Sequence, residues 1–175
     1  MELLLPGAMV YRSILSETDA DYLWVPQVRF VDGMVAQFAS GCKLLELTHD
    51  FTADILSAAH AMNARYVENT SHASQTEQNA CVIFDSIKKF HGMGKREKLL
   101  LRISAILHDC GKYISLSDSA VSAYQIIMAT EIIGLSHRER EIVANVVRFN
   151  TTPYRRSADP DSKLLREDEN LILKL

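Results

Sequence analysis

Ile106-Leu107-His108-Asp109-Cys110-Gly111-Lys112 places a His-Asp pair at the end of an apolar helical run, with Gly and Lys directly behind it. A neighbouring imidazole and carboxylate can both ligate one ion, and this donor mix suits Mn, Fe or Zn, or Mg where further oxygen donors join. The same stretch also reads as an ordinary helix end, with a polar cap before Gly111 and a Lys favoured by the helix dipole. The surrounding chain has to choose between the two.

Upstream, Leu99, Leu100, Ile103, Ile106 and Leu107 recur at helical spacing, so residues 96–108 form a helix that ends at His108. Before it, His91-Gly92-Met93-Gly94 breaks the pattern. Residues 71–90 carry Ala80, Ile83, Phe84 and Ile87 along one face of another helix. Two helices joined by a Gly break run antiparallel, which returns the chain to its starting end and brings His72 near His108. His72 is therefore the candidate third ligand, although Ser71-His72 also reads as a helix cap. Lys112 could hold an anionic phosphate beside such an ion. His49, His60, His91 and His137 read as solvated surface residues, and Cys110 as a small buried hydrophobe.

Further helices are expected over residues 46–67 (Phe51, Ile55, Ala58, Ala59, Met62), 119–130, and after Ser136-His137-Arg138-Glu139. That tetrapeptide is a capping box ahead of Ile142, Val143, Val146 and Val147. After Phe149 the chain turns polar and Pro-containing, with Ser157-Ala158-Asp159-Pro160, before a last helix over 167–175. The front is different. A short helix over 7–15 precedes Tyr22-Leu23-Trp24-Val25 and Val28-Arg29-Phe30-Val31, which read as one or two short strands.

With 175 residues, 47% hydrophobic and 23% charged, the chain suits one ordered, helix-leaning globular core. A net charge of -3 with scattered Lys and Arg argues against dedicated nucleic-acid binding. No apolar run reaches the length of a membrane span, and three widely spaced cysteines without a C-x-x-C fit a reducing cytoplasm.

His72 followed by Ala105-Ile-Leu-His-Asp-Cys-Gly-Lys resembles the HD superfamily of metal-dependent phosphohydrolases, whose ligands come in the order His, His-Asp and a distant Asp. Ser122-Ala123-Tyr124-Gln125-Ile126-Ile127 and Gly134-Leu135-Ser136-His137-Arg138-Glu139-Arg140-Glu141 narrow it. They are similar to the C-terminal HD region of the exopolyphosphatase and guanosine pentaphosphate phosphohydrolase (Ppx/GppA) family. Leu4-Leu5-Pro6-Gly7-Ala8-Met9-Val10 and Arg29-Phe30-Val31-Asp32-Gly33-Met34 resemble the last helix and strand of that family's actin-like phosphatase domain.

The resemblance implies a mainly α chain, with an HD-type helical bundle preceded by a short helix-strand remnant of an actin-like α/β domain. Residues 1–43 are then that domain's trailing edge and 44–175 an HD-like domain truncated at its C-terminus. It implies metal ligation by His72, His108 and Asp109, phosphate binding by Lys112, and a divalent ion (Mg, Mn, Fe or Zn). For the parent protein it implies release of terminal phosphate from polyphosphate or guanosine pentaphosphate, in a homodimer, with the main catalytic domains outside this chain. An independent HD phosphohydrolase and a non-catalytic dimerisation or substrate-channel module are the alternatives. Two departures narrow the expectation. Asp118-Ser119-Ala120-Val121 lacks the His residues that often extend the family's site, and the distant Asp ligand is expected beyond the apolar run Leu171 to Leu175.

Overall fold

The computed structural model describes residues 4–18, 20, 22, 24, 27–46, 49–68, 70–151, 153 and 166–175. The polar tract around Ser157 to Pro160, and Leu23 and Val25 of the first expected strand, lie outside them. The chain divides into two compact units, residues 1–48 and 49–175.

In the first unit, helix α1 spans Leu4–Ser16 and α2 spans Phe30–Gly41. The described residues contain no strand, which corrects the reading of Val28 to Val31. The β-branched and aromatic residues Val28, Phe30 and Val31 suggested extension, but Phe30, Val31, Met34, Val35 and Phe38 together follow a helical period. Asp32 starts that helix: its carboxylate accepts the Arg29 backbone N–H at 2.8 Å, satisfying a donor that a helix start leaves open. Every one of those five apolar side chains is exposed.

The second unit is all helical in its described residues. Helix α3 is Phe51–Ala64, α4 Thr70–Ser86, the single turn α5 Lys88–His91, and α6 Lys95–Leu107. A 3-10 turn follows at Cys110–Tyr113, then α7 at Ser119–Ala129, α8 at His137–Arg148 and α9 at Arg166–Lys174. Helix α3 starts later than its apolar spacing suggested, because the Asp50 carboxylate accepts the backbone N–H groups of Thr52 (2.9 Å) and Ala53 (3.3 Å) and fixes the cap there. Ser136 and Glu139 form the expected capping box of α8, with Ser136 N–H donating to the Glu139 carboxylate at 2.9 Å.

Helix α6 is the centre of the core. It packs against α3, α4 and α8, and its residues from Ile103 to Leu107 are all buried. Ile103, Ile106 and Leu107 meet the fully buried Ile127, Val143 and Val147 in one cluster. Ser104 tolerates this setting because its hydroxyl donates to the Leu100 carbonyl at 2.9 Å.

The buried face of α4 is rotated from the one its apolar residues suggested. Ala73, Glu77 and Phe84 face inward, while Ile83 and Ile87 are exposed. Glu77 is 7% exposed, and its burial rests on partners: Arg102 Nε at 2.7 Å from α6 and His60 Nε2 at 3.2 Å from α3. Together with Lys98 Nζ on Asp85 at 2.6 Å, these pairs fix the antiparallel register of α4 on α6.

Candidate metal centre

That register carries α4 back to the C-terminal end of α6. Asp85 meets Lys98, Glu77 meets Arg102, and one to two turns further His72 in the first turn of α4 meets His108, the cap residue of α6. The two rings lie 5.2 Å apart, tilted at 58°. With Asp109 they form a group in which one ligand atom from each residue lies within 4.8 Å of the others. His72 is exposed, and the side chains of His108 and Asp109 are both half-buried.

The orientation of His108 follows from its hydrogen bond. Nδ1 sits 2.7 Å from the Ala105 carbonyl, which can only accept, so Nδ1 carries the proton and Nε2 presents its lone pair in the neutral ring. A carbonyl that holds the far nitrogen of a histidine is the usual support of a metal-ligating imidazole. Nε2 lies 3.3 Å from Asp109 Oδ1. That oxygen also meets the Lys112 ammonium, so what makes the donor set fit a divalent ion is the convergence of two imidazoles and a carboxylate within 4.8 Å. Two imidazoles and one carboxylate would suit Mn, Fe or Zn best.

Lys112 Nζ sits 2.8 Å from Asp109 Oδ1 and is about half exposed. The expected phosphate partner is therefore within reach of the centre, and it already neutralises part of its charge. Cys110, between Asp109 and Gly111, is fully buried, and desolvation pushes its thiol up to about 12. It behaves as a hydrophobe and not as a thiolate ligand.

Gly111 has a different role from the helix cap suggested by its place after the His-Asp pair. A Cβ there would lie 1.9 Å from the Ser119 carbonyl oxygen and 2.5 Å from the Ala123 nitrogen, so only glycine lets the 3-10 turn press onto α7. This contact seats the backbone that carries Asp109 and Lys112.

Two of the four histidines read as solvated are tied into the structure. His91 Nε2 donates to the Phe84 carbonyl at 2.8 Å, its Nδ1 accepts the Met93 N–H at 2.9 Å, and its ring lies 4.2 Å from that of Phe84. His60 reaches Glu77. The polar network of His60, Glu77 and Arg102 was invisible to apolar periodicity, since it needs three helices to be placed first. His49 does stand at the surface, hydrogen-bonded to Asp54. His137 is also exposed, in the first turn of α8.

No described helix is long and apolar enough to cross a membrane. No curated protein sequence matches the chain. The model of a family, Ppx/GppA phosphatase, domain III, matches residues 56–175, which takes in α4, the 3-10 turn and both candidate histidines. Since the match covers more than half of the sequence, the chain belongs to the Ppx/GppA phosphatase family.

Proposed function

We propose that this chain is the C-terminal helical portion of an exopolyphosphatase-type phosphohydrolase that releases terminal phosphate from polyphosphate or guanosine pentaphosphate. In this reading the main cleavage belongs to domains outside residues 1–175, and the helical unit supports a divalent ion next to them. His72, His108 and Asp109 are its ligands, and Lys112 is the residue that meets a phosphoryl oxygen. Residues 1–43 form the trailing edge of the actin-like phosphatase domain, a role supported by the exposed apolar side chains of α1 and α2. The parent works as a homodimer in the cytoplasm.

The observation that carries the metal assignment is the convergence of His72, His108 and Asp109, with one ligand atom of each within 4.8 Å of the others. An ion held by His72, His108 and Asp109 would supply neutralisation of phosphoryl charge. The chain's own residues do the rest: Ala105 holds the His108 tautomer, Gly111 seats the turn, and Lys112 keeps a half-exposed ammonium 2.8 Å from Asp109 Oδ1. The exposure of His72 favours a supporting module over a self-contained active centre, because catalysis of phosphoryl transfer profits from an enclosed site.

Metal content after loading with Mn, Fe or Zn, measured for the parent chain and for His108→Ala, tests the assignment. The expected result is one ion per chain, lost in the variant, with no phosphate released from polyphosphate or guanosine pentaphosphate by the chain alone. Turnover abolished by His108→Ala replaces this reading with an independent HD phosphohydrolase. No bound ion leaves the non-catalytic dimerisation or channel module.

A further inference from the structure

We propose that the recess beside the start of α8 is an oxyanion site that takes a phosphate group, separate from the metal centre. The recess encloses about 410 Å³ and is lined by Glu131, Ile132, Ile133, Gly134, Leu135, His137 and Arg140. That volume is within the range of small-molecule sites, about 300–1,000 Å³.

The charge on its wall is the anomaly. Three arginines are half-buried among the described residues: Arg102, Arg140 and Arg148. Arg102 is neutralised by Glu77, and the Arg148 guanidinium lies 5.0 Å from the centre of the Tyr124 ring. Arg140 has neither kind of compensation. Its Nη1 donates to the Thr130 carbonyl at 3.1 Å and its Nη2 to His137 Nδ1 at 3.1 Å, while its Nε is buried with no partner among the described residues. A half-buried guanidinium held only by neutral acceptors keeps most of its desolvation penalty, and an anion relieves it.

The nearby carboxylates do not fill that role. Glu139 is committed to Arg96, at 2.6 Å and 2.9 Å, and to the Ser136 N–H. Glu131 lines the recess but forms no ion pair with Arg140.

His137 adds a second donor. Because its Nδ1 accepts from Arg140, the neutral ring carries its proton on Nε2, and this side chain is exposed on the recess wall. Guanidinium and imidazole donors from two side chains suit a tetrahedral oxyanion, whereas a planar carboxylate is satisfied by a guanidinium fork alone. The ligand is a phosphate, either free or at the end of a phosphoanhydride chain.

The site lies away from the metal centre. Arg96, at the first turn of α6, donates to the Gly134 carbonyl at 2.7 Å, whereas His108 caps the other end of that helix. The twelve-step offset from Arg96 to His108 spans roughly 18 Å at about 1.5 Å per residue.

The test is isothermal titration of the full chain, with chelator present and in the His108→Ala background, against inorganic phosphate, tripolyphosphate and acetate. One phosphate-type ligand is expected to bind per chain, weakened about tenfold in His137→Ala and lost in Arg140→Gln, with Glu131→Gln tightening it a few-fold. Tighter binding of tripolyphosphate than of phosphate assigns the site to the end of a chain, and equal binding assigns it to the free ion. His137 is exposed and its substitution leaves the Ser136 cap in place, so it decides the matter if Arg140→Gln fails to fold. Unaltered affinity in His137→Ala, acetate binding as tightly as phosphate, or no binding at all overturns the proposal.

Discussion

Replacing Gly111 with alanine tests whether the 3-10 turn at Cys110–Tyr113 is seated on α7 as described. The added Cβ meets three backbone atoms: Ser119 O at 1.9 Å, Ala123 N at 2.5 Å and Ser119 C at 2.9 Å. No rotamer change relieves such contacts, because the obstacles are main chain, so α7 or the turn must move by roughly an ångström. Overpacking of this kind costs about 1–3 kcal/mol, and rigid opposing atoms put Gly111→Ala at about 3. For a unit of this size that is a fall in Tm of about 10 °C, read by circular dichroism during heating. Gly92→Ala is the internal comparison. Gly92 has φ +66° but open space around it, so its substitution strains only the backbone, at about 1 kcal/mol. A Gly111→Ala protein that melts within about 3 °C of the parent, or no lower than Gly92→Ala, refutes the close approach of turn and helix.

Other expectations concern polar partners. Glu139 has its carboxyl held down to about 2 by the Arg96 hydrogen bond foremost, then by the Ser136 contacts, below its usual 4.5. The stability this pair contributes is thus present above about pH 4.5 and lost as pH falls towards 2; a urea-unfolding series from pH 6 to 2.5 on the parent should lose more than one on Glu139→Gln. Glu77→Ala strands Arg102 in a half-buried position and is expected to lower stability by about 3 kcal/mol, whereas Asp85→Ala, at an exposed pair, stays within about 0.5; equal effects in denaturation would contradict the burial assigned to Glu77. His91→Ala removes two hydrogen bonds and a ring contact and should cost about 2 kcal/mol in the same assay, with amide exchange quickened at Met93 first.

The helices of the second unit were legible because apolar periodicity and caps coincide there. Ser136 and Glu139 announced the start of α8, and the run from Leu99 to Leu107 announced α6. His72 and His108 could be paired before any coordinates, since two helices and a Gly break dictate an antiparallel return. Failures cluster where one side chain carries information from a distant element. The inward face of α4 contains Glu77, and only Arg102 and His60 make that position tolerable. Val28 to Val31 misled because four residues are too short to separate a strand from the first turn of a helix, and the Asp32 cap is visible only if Arg29 is already taken as the boundary. Gly111 looked like a conformational glycine, yet what it provides is the absence of a Cβ against α7.

The ion pairs that set α4 on α6 also tie ligand geometry to local opening. His72 belongs to the first turn of its helix, where hydrogen bonding is least complete, while His108 is anchored to the buried end of α6. Sliding α4 by a single turn, about 5.4 Å, would separate the rings and part Glu77 from Arg102 and His60. If His72, His108 and Asp109 hold an ion as proposed, its binding and the end-fraying of α4 are one equilibrium seen from two sides. An ion at a hundred times its Kd would deepen that local well by about 2.7 kcal/mol, and the gain would surface as slowed amide exchange in the first two turns of α4 before any rise in global stability.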